Sequence, residues 1–137
     1  MRRFVWLLVY VVAVCGACGT QAPSTAPIPA RAADVGPVPD SLPTMLGFVP
    51  VTWQDKVFDA SGGEELMGLY NLLERRIYLS RRIQNPIVAW HVALHERCHA
   101  VMADTGLRFA MTPLFVQQLC DAIATLQVID LLAATRR

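Results

Sequence analysis

The rhythm of apolar and polar positions changes three times along this chain of 137 residues. Residues 4–14, FVWLLVYVVAV, form one apolar run behind Arg2 and Arg3. It is shorter than the roughly 20 residues a spanning helix needs, and small residues follow it, so residues 1–18 read as a secretory signal. Residues 19–44 hold six of the nine prolines, with Ala, Ser, Thr and Gly between them. Such a segment has nothing to build a core from, and it predicts an extended, flexible tether. From FVPVTW (48–53) onward the pattern alternates, which predicts a strand, with Pro50 placing it at an edge or making it irregular. MGLY (67–70) and RRIYLS (75–80) predict an antiparallel hairpin, with Ile77 and Leu79 on one face. DASGGEE (59–65) is a loop.

The period then becomes helical. Asn85-Pro86 is a start signal, since Asn caps well and Pro suits the first helical position. That helix should run to about Thr105, where Gly106 stops it. Thr112-Pro113 repeats the signal and opens a second helix to about Ala133. Strands followed by helices predict an α+β domain: a small antiparallel sheet of about three strands, then two packed helices, over residues 45–137.

Charge narrows the list of partners. The formal net charge is +1, and without Arg2 and Arg3 the balance is 10 basic residues to 11 acidic ones. There is no basic patch of the kind that holds nucleic acid.

The end of the signal segment, Cys15-Gly16-Ala17-Cys18, resembles the lipobox of bacterial lipoproteins, although Cys15 stands where Leu or Val is usual. The resemblance implies lipidation of Cys18 and a membrane-anchored, exported protein on the periplasmic or extracellular face.

All three histidines fall in AWHVALHERCHAVMADTG, at 91, 95 and 99. His95 and His99 are i and i+4 on the first helix, one turn apart on one face, so both imidazoles can reach one metal ion. Glu96 is turned about 100° from His95, beside the metal, where it can take a proton from a metal-bound water. The helical context that an HExxH pattern requires is met. The competing reading is two ordinary polar histidines on an apolar helix.

LHERCHAVMADTGL resembles the active-site helix of the zincin metallopeptidases. The hairpin GLYNLLERRIYLS is loosely similar to the edge strand that binds peptide in such enzymes. VQQLCDAIATLQ (116–127) resembles the second helix of small phage- and bacteria-borne metallopeptidase-like proteins. The resemblance implies a zinc cofactor, a peptide or protein substrate and hydrolysis of a peptide or amide bond. It also implies Glu96 as general base, with His95 and His99 on the metal. The family's third ligand, a glutamate, maps to Gln117, whose neutral amide oxygen is a poor zinc ligand. Asp121, one turn further along, offers a carboxylate and is the first candidate for third ligand. Gln117 is the alternative, and Cys120 is a further candidate through its thiolate. His91 lies about 12 Å along the axis from His99, so one zinc cannot easily take both, and His91 stays a minor candidate beside Cys120 or no third ligand at all.

Cys98 and Cys120, one on each helix, are either a disulfide in an oxidising compartment or two buried thiols. The rival to an enzyme is a non-catalytic, metal-binding surface lipoprotein derived from this fold. A further rival is a structural lipoprotein whose motif is accidental.

Overall fold

The computed structural model describes residues 35–59 and 61–135. The signal segment, Cys18 and residues 19–34 of the expected tether lie outside the described residues. In chain order the elements are β1 (Ser41–Thr44), β2 (Gly47–Gln54), β3 (Val57–Phe58), β4 (Glu65–Leu66), β5 (Gly68–Asn71) and β6 (Arg76–Ser80). The helices α1 (Pro86–Asp104), α2 (Leu107–Ala110) and α3 (Pro113–Ala134) follow. This is an α+β fold, with a four-stranded sheet in the order β1-β2-β6-β5 and a separate β3-β4 pair.

The sheet is mixed. β1 with β2 and β5 with β6 are antiparallel, while β2 and β6 run parallel, Val51 opposite Ile77 and Trp53 opposite Leu79. Pro50 sits on an interior strand of this order, and the register explains why it is tolerated. Val51 N–H donates to the Asp40 carbonyl on the β1 side, so the Pro50 nitrogen faces the other side, just before pairing with β6 begins at Val51. β1 lies within the segment that its prolines mark as tether. Val35, Val38 and Leu42 are buried, so the fold reaches back past residue 45 to Val35.

The β5–β6 hairpin pairs Gly68 with Leu79 and Tyr70 with Ile77. Ile77 and Leu79 point inward together and are fully buried, each stabilising the fold by roughly 1.5–3 kcal/mol. In the turn, Asn71 Oδ1 accepts from the N–H groups of Leu73 and Glu74. Arg75 then adopts a left-handed φ of 47° and sends Nη2 to Asp104, 3.0 Å from either carboxylate oxygen. Asp104 also accepts from Leu46 N–H at 3.1 Å, so the last residue of α1 ties down both sheet turns.

α1 begins and ends where its sequence signals stand. The Asn85 side chain accepts from Ile87 N–H, Pro86 is the first helical residue, and Gly106 takes a φ of 74° after the end. α1 is buried on two sides. Ala89, Ala93 and Ala100 face the sheet with Val49, Val51 and Ile77, and small side chains there let helix and sheet approach closely. Leu94, Cys98 and Met102 face α3, against Val116, Cys120, Ala124 and Val128. The layers are therefore sheet, α1 and α3 in that order, and α3 packs chiefly on α1. Thr112 caps α3 by accepting from Phe115 N–H, and the short α2, which lacks a sequence signal of its own, links the two long helices.

Cys98 and Cys120 are joined by a disulfide, with Cα atoms 5.4 Å apart and a sequence separation of 22. Closing a loop of that size removes about 3 kcal/mol of unfolded-state entropy. The double variant Cys98→Ala/Cys120→Ala should therefore lose about 2–4 kcal/mol in urea unfolding relative to the oxidised chain. Equal midpoints for the two proteins would show that α3 needs no covalent tie.

Candidate metal centre

The i, i+4 spacing on α1 brings His95 Nε2 within 3.0 Å of His99 Nε2. α3 crosses at this level and delivers the amide nitrogen of Gln117 to 3.1 Å from the same His95 Nε2. Three polar tips thus meet at one place. Two nitrogen ligands on a tetrahedral zinc, with bonds near 2.0–2.1 Å, lie about 3.3 Å apart, so the two imidazoles need only a small adjustment to share an ion. The set is two histidines and one amide. Among the described residues no group of three or more His, Cys, Asp or Glu side chains is gathered as a metal cluster.

Asp121 occupies a different position. Its Oδ1 lies 2.8 Å from His95 Nδ1, on the far side of the ring from Nε2. A carboxylate there accepts a hydrogen bond from Nδ1–H, which keeps the proton on Nδ1 and leaves the Nε2 lone pair facing Gln117 and His99, the tautomer a metal ligand needs. Cys120 is committed to the disulfide, which removes its thiolate from the donor list. His91 faces α3, with Nε2 3.2 Å from Thr125 Oγ1.

Burial controls the charge of the centre. His99 is pushed down to about 4, first by desolvation and then by the neighbouring His95, so its imidazole is neutral at pH 7. Glu96 is raised to about 7, chiefly by burial, with the nearby Asp121 adding to the rise. The backbone N–H of Tyr70, donating to Glu96 Oε2 at 2.8 Å, opposes that shift. A carboxyl group poised near neutrality can both accept and return a proton.

The Tyr70 bond follows from strand register. Ser80 N–H donates to the Met67 carbonyl at 2.8 Å, so Leu69 and Asn71 face β6 while Gly68 and Tyr70 turn their backbone groups outward. β5 is the sheet's edge, and Glu96 takes one of its free donors. Gly68 is what allows this. A Cβ there would run into Val92 Cγ1 and come within 3.2 Å of Glu96 Cγ. A glycine inside a strand signals such close backbone approach, and Gly68 and the Tyr70 N–H are the two site groups that pattern reading passes over.

A cleft follows the same edge. One lobe of about 310 Å³ is lined by Leu66, Leu69, Tyr70, His99 and Arg108, among others. A second, of about 210 Å³, is bordered by Met67, His91, Val92 and Asp121. Both lobes share Leu66, Gly68, His95, Glu96 and Gln117, so His95 and the glutamate lie at the cleft's middle, with His99 in the first lobe.

Comparison of the chain with protein-family models, with curated proteins and with solved structures gave no match.

Gly68→Ala should lower stability by about 1–3 kcal/mol, because β-branched Val92 cannot swing aside as a long flexible chain would. Denaturant unfolding measures this. An unchanged midpoint would mean that α1 can retreat from β5 at no cost.

Proposed function

We propose that this chain is a zinc-dependent hydrolase, a metallopeptidase of zincin-like design, exported and held at a membrane by a lipid on Cys18. One observation carries the reading: His95 Nε2, His99 Nε2 and the Gln117 amide converge beside a buried glutamate, in the middle of a cleft along a free strand edge. In this reading His95 and His99 hold the ion through Nε2, and Gln117 turns its amide oxygen to it as third donor. Asp121, first candidate for that place on sequence grounds, instead fixes the His95 ring through Nδ1. Zinc, when bound, supplies Lewis-acid polarisation and acidifies a water towards neutral pH.

The chain's own groups do the rest. An extended peptide can lie along β5 and bond to the outward backbone of Gly68. Glu96 accepts a proton from the attacking water and returns it to the leaving amine. The Tyr70 N–H keeps its carboxylate aimed along the strand edge, and a neighbouring cation would lower its proton affinity into the base form.

A second reading is favoured by the donor set. With an amide in place of a third charged or imidazole ligand, the chain could be a surface lipoprotein that binds metal without turnover. Glu96→Gln distinguishes the two. An enzyme loses at least about a hundredfold in hydrolysis of a peptide library while keeping its zinc. Wild-type protein that binds one zinc and cleaves nothing supports the second reading.

The ligand assignment has its own measurement. Metal titration should show Asp121→Asn retaining one zinc with affinity about 10–100-fold weaker. Gln117→Ala should weaken binding too, and His95→Ala should abolish it. Complete loss of zinc in Asp121→Asn, with Gln117→Ala unaffected, would restore Asp121 as the ligand. Zinc binding unaltered by His95→Ala would leave the motif an accident.

A further inference from the structure

α3 has two apolar faces, and among the described residues only one has a neighbour. Val116, Cys120, Ala124 and Val128, spaced by four, face α1 and are buried. On the opposite side, at about 100° per residue, fall Phe115, Gln118, Ala122, Leu126, Ile129 and Ala133. All six are exposed, with 63% of Leu126 and 55% of Ile129 open, and none is charged. A helix face turned to water is ordinarily polar, yet here Phe115, Leu126 and Ile129 leave it largely apolar. By length and composition α3 could cross a bilayer, but its disulfide and its packing on α1 hold it flat against the domain.

The chain outside the described residues says what lies nearby. It carries the apolar run 4–14 and Cys18, and residues 19–34 separate Cys18 from the first described residue, Val35. Those 16 residues reach at most about 55 Å when fully extended. The described chain begins beside α1: the Gly36 carbonyl accepts from the Trp90 indole at 2.6 Å, and Trp90 packs in turn on the Ala124 and Val128 stretch of α3. Leu126 and Ile129 lie on the outer side of that same stretch of helix.

We propose that the outward face of α3 rests on the bilayer to which the N-terminal segment anchors the chain, with Phe115, Leu126 and Ile129 entering the boundary between headgroups and acyl chains. This rests on the membrane-anchored reading above. α3 carries no Lys or Arg between Pro113 and Ala134, so apolar contact holds it and anionic lipid is not required. Gln117, five residues before Ala122, lies about 140° round the helix from the stripe's centre, which keeps the cleft clear of the lipid.

The test uses the full chain on phosphatidylcholine vesicles containing a phospholipid with a photoactivatable acyl chain. Vesicle flotation is followed by mass-spectrometric mapping of lipid adducts. The chain should float and carry adducts within residues 113–134, in low and high salt alike. Leu126→Glu/Ile129→Glu should still float through its N-terminal segment, with α3 adducts reduced about tenfold or more. Floated wild-type chain with no adducts on α3 overturns the proposal and leaves the anchor standing. A floated chain that lacks α3 adducts and sediments as a dimer in detergent would overturn it in favour of a second copy. A chain that does not float at all removes both the anchor and the docking face. The wild-type map decides the matter even where the double variant fails to fold.

Discussion

At Gly68 the backbone of β5 and the side of α1 meet with no room for a methyl group, and the other features of the centre follow from that contact. Because the helix lies this close, Glu96 can reach the outward N–H of Tyr70 at the sheet edge. Because Glu96 is drawn inward, it loses water, and its carboxyl rises to about 7. His95 and His99 ride on the same helix one turn apart, so their position relative to the strand is set by the same approach. Ala89, Ala93 and Ala100 extend it along the helix, which makes closeness a property of the whole interface.

The elements with strong local signals were legible in the sequence. Asn85-Pro86, Thr112-Pro113 and Gly106 mark the helix ends, because capping chemistry is local to a few residues. The β5–β6 hairpin was legible for the same reason. β1 was not: Pro43 and its proline-rich surroundings look like tether, and only its pairing with Val49 and Phe48 across the turn at Met45 and Leu46 makes it a strand. The parallel pairing of β2 with β6 has no local signature, since the partners are separated by three other strands.

For the centre, helix periodicity could place His95, Glu96 and His99 on one turn and could put Gln117 and Asp121 on a shared face of α3. It could not say which of the last two meets which nitrogen of His95. That depends on how α3 slides along α1, a matter of side-chain packing between Leu94, Cys98 and Met102 and their partners. The observed offset sets Gln117 at Nε2 and Asp121 at Nδ1. The glutamate's bond to Tyr70 was equally hidden, because it needs the register of β5 against β6.

The Cys98–Cys120 bond can also be viewed in the terms of coordination chemistry. It closes residues 98–120 into a peptide macrocycle. His99 stands one residue inside one end of that ring, Gln117 three residues inside the other, and His95 and Asp121 lie just outside it. A macrocyclic chelator binds with less loss of freedom than an open chain, because its donors are already held near one another. The crosslink lies away from the cleft, yet in the zinc-binding reading it would spare Gln117 that ordering step.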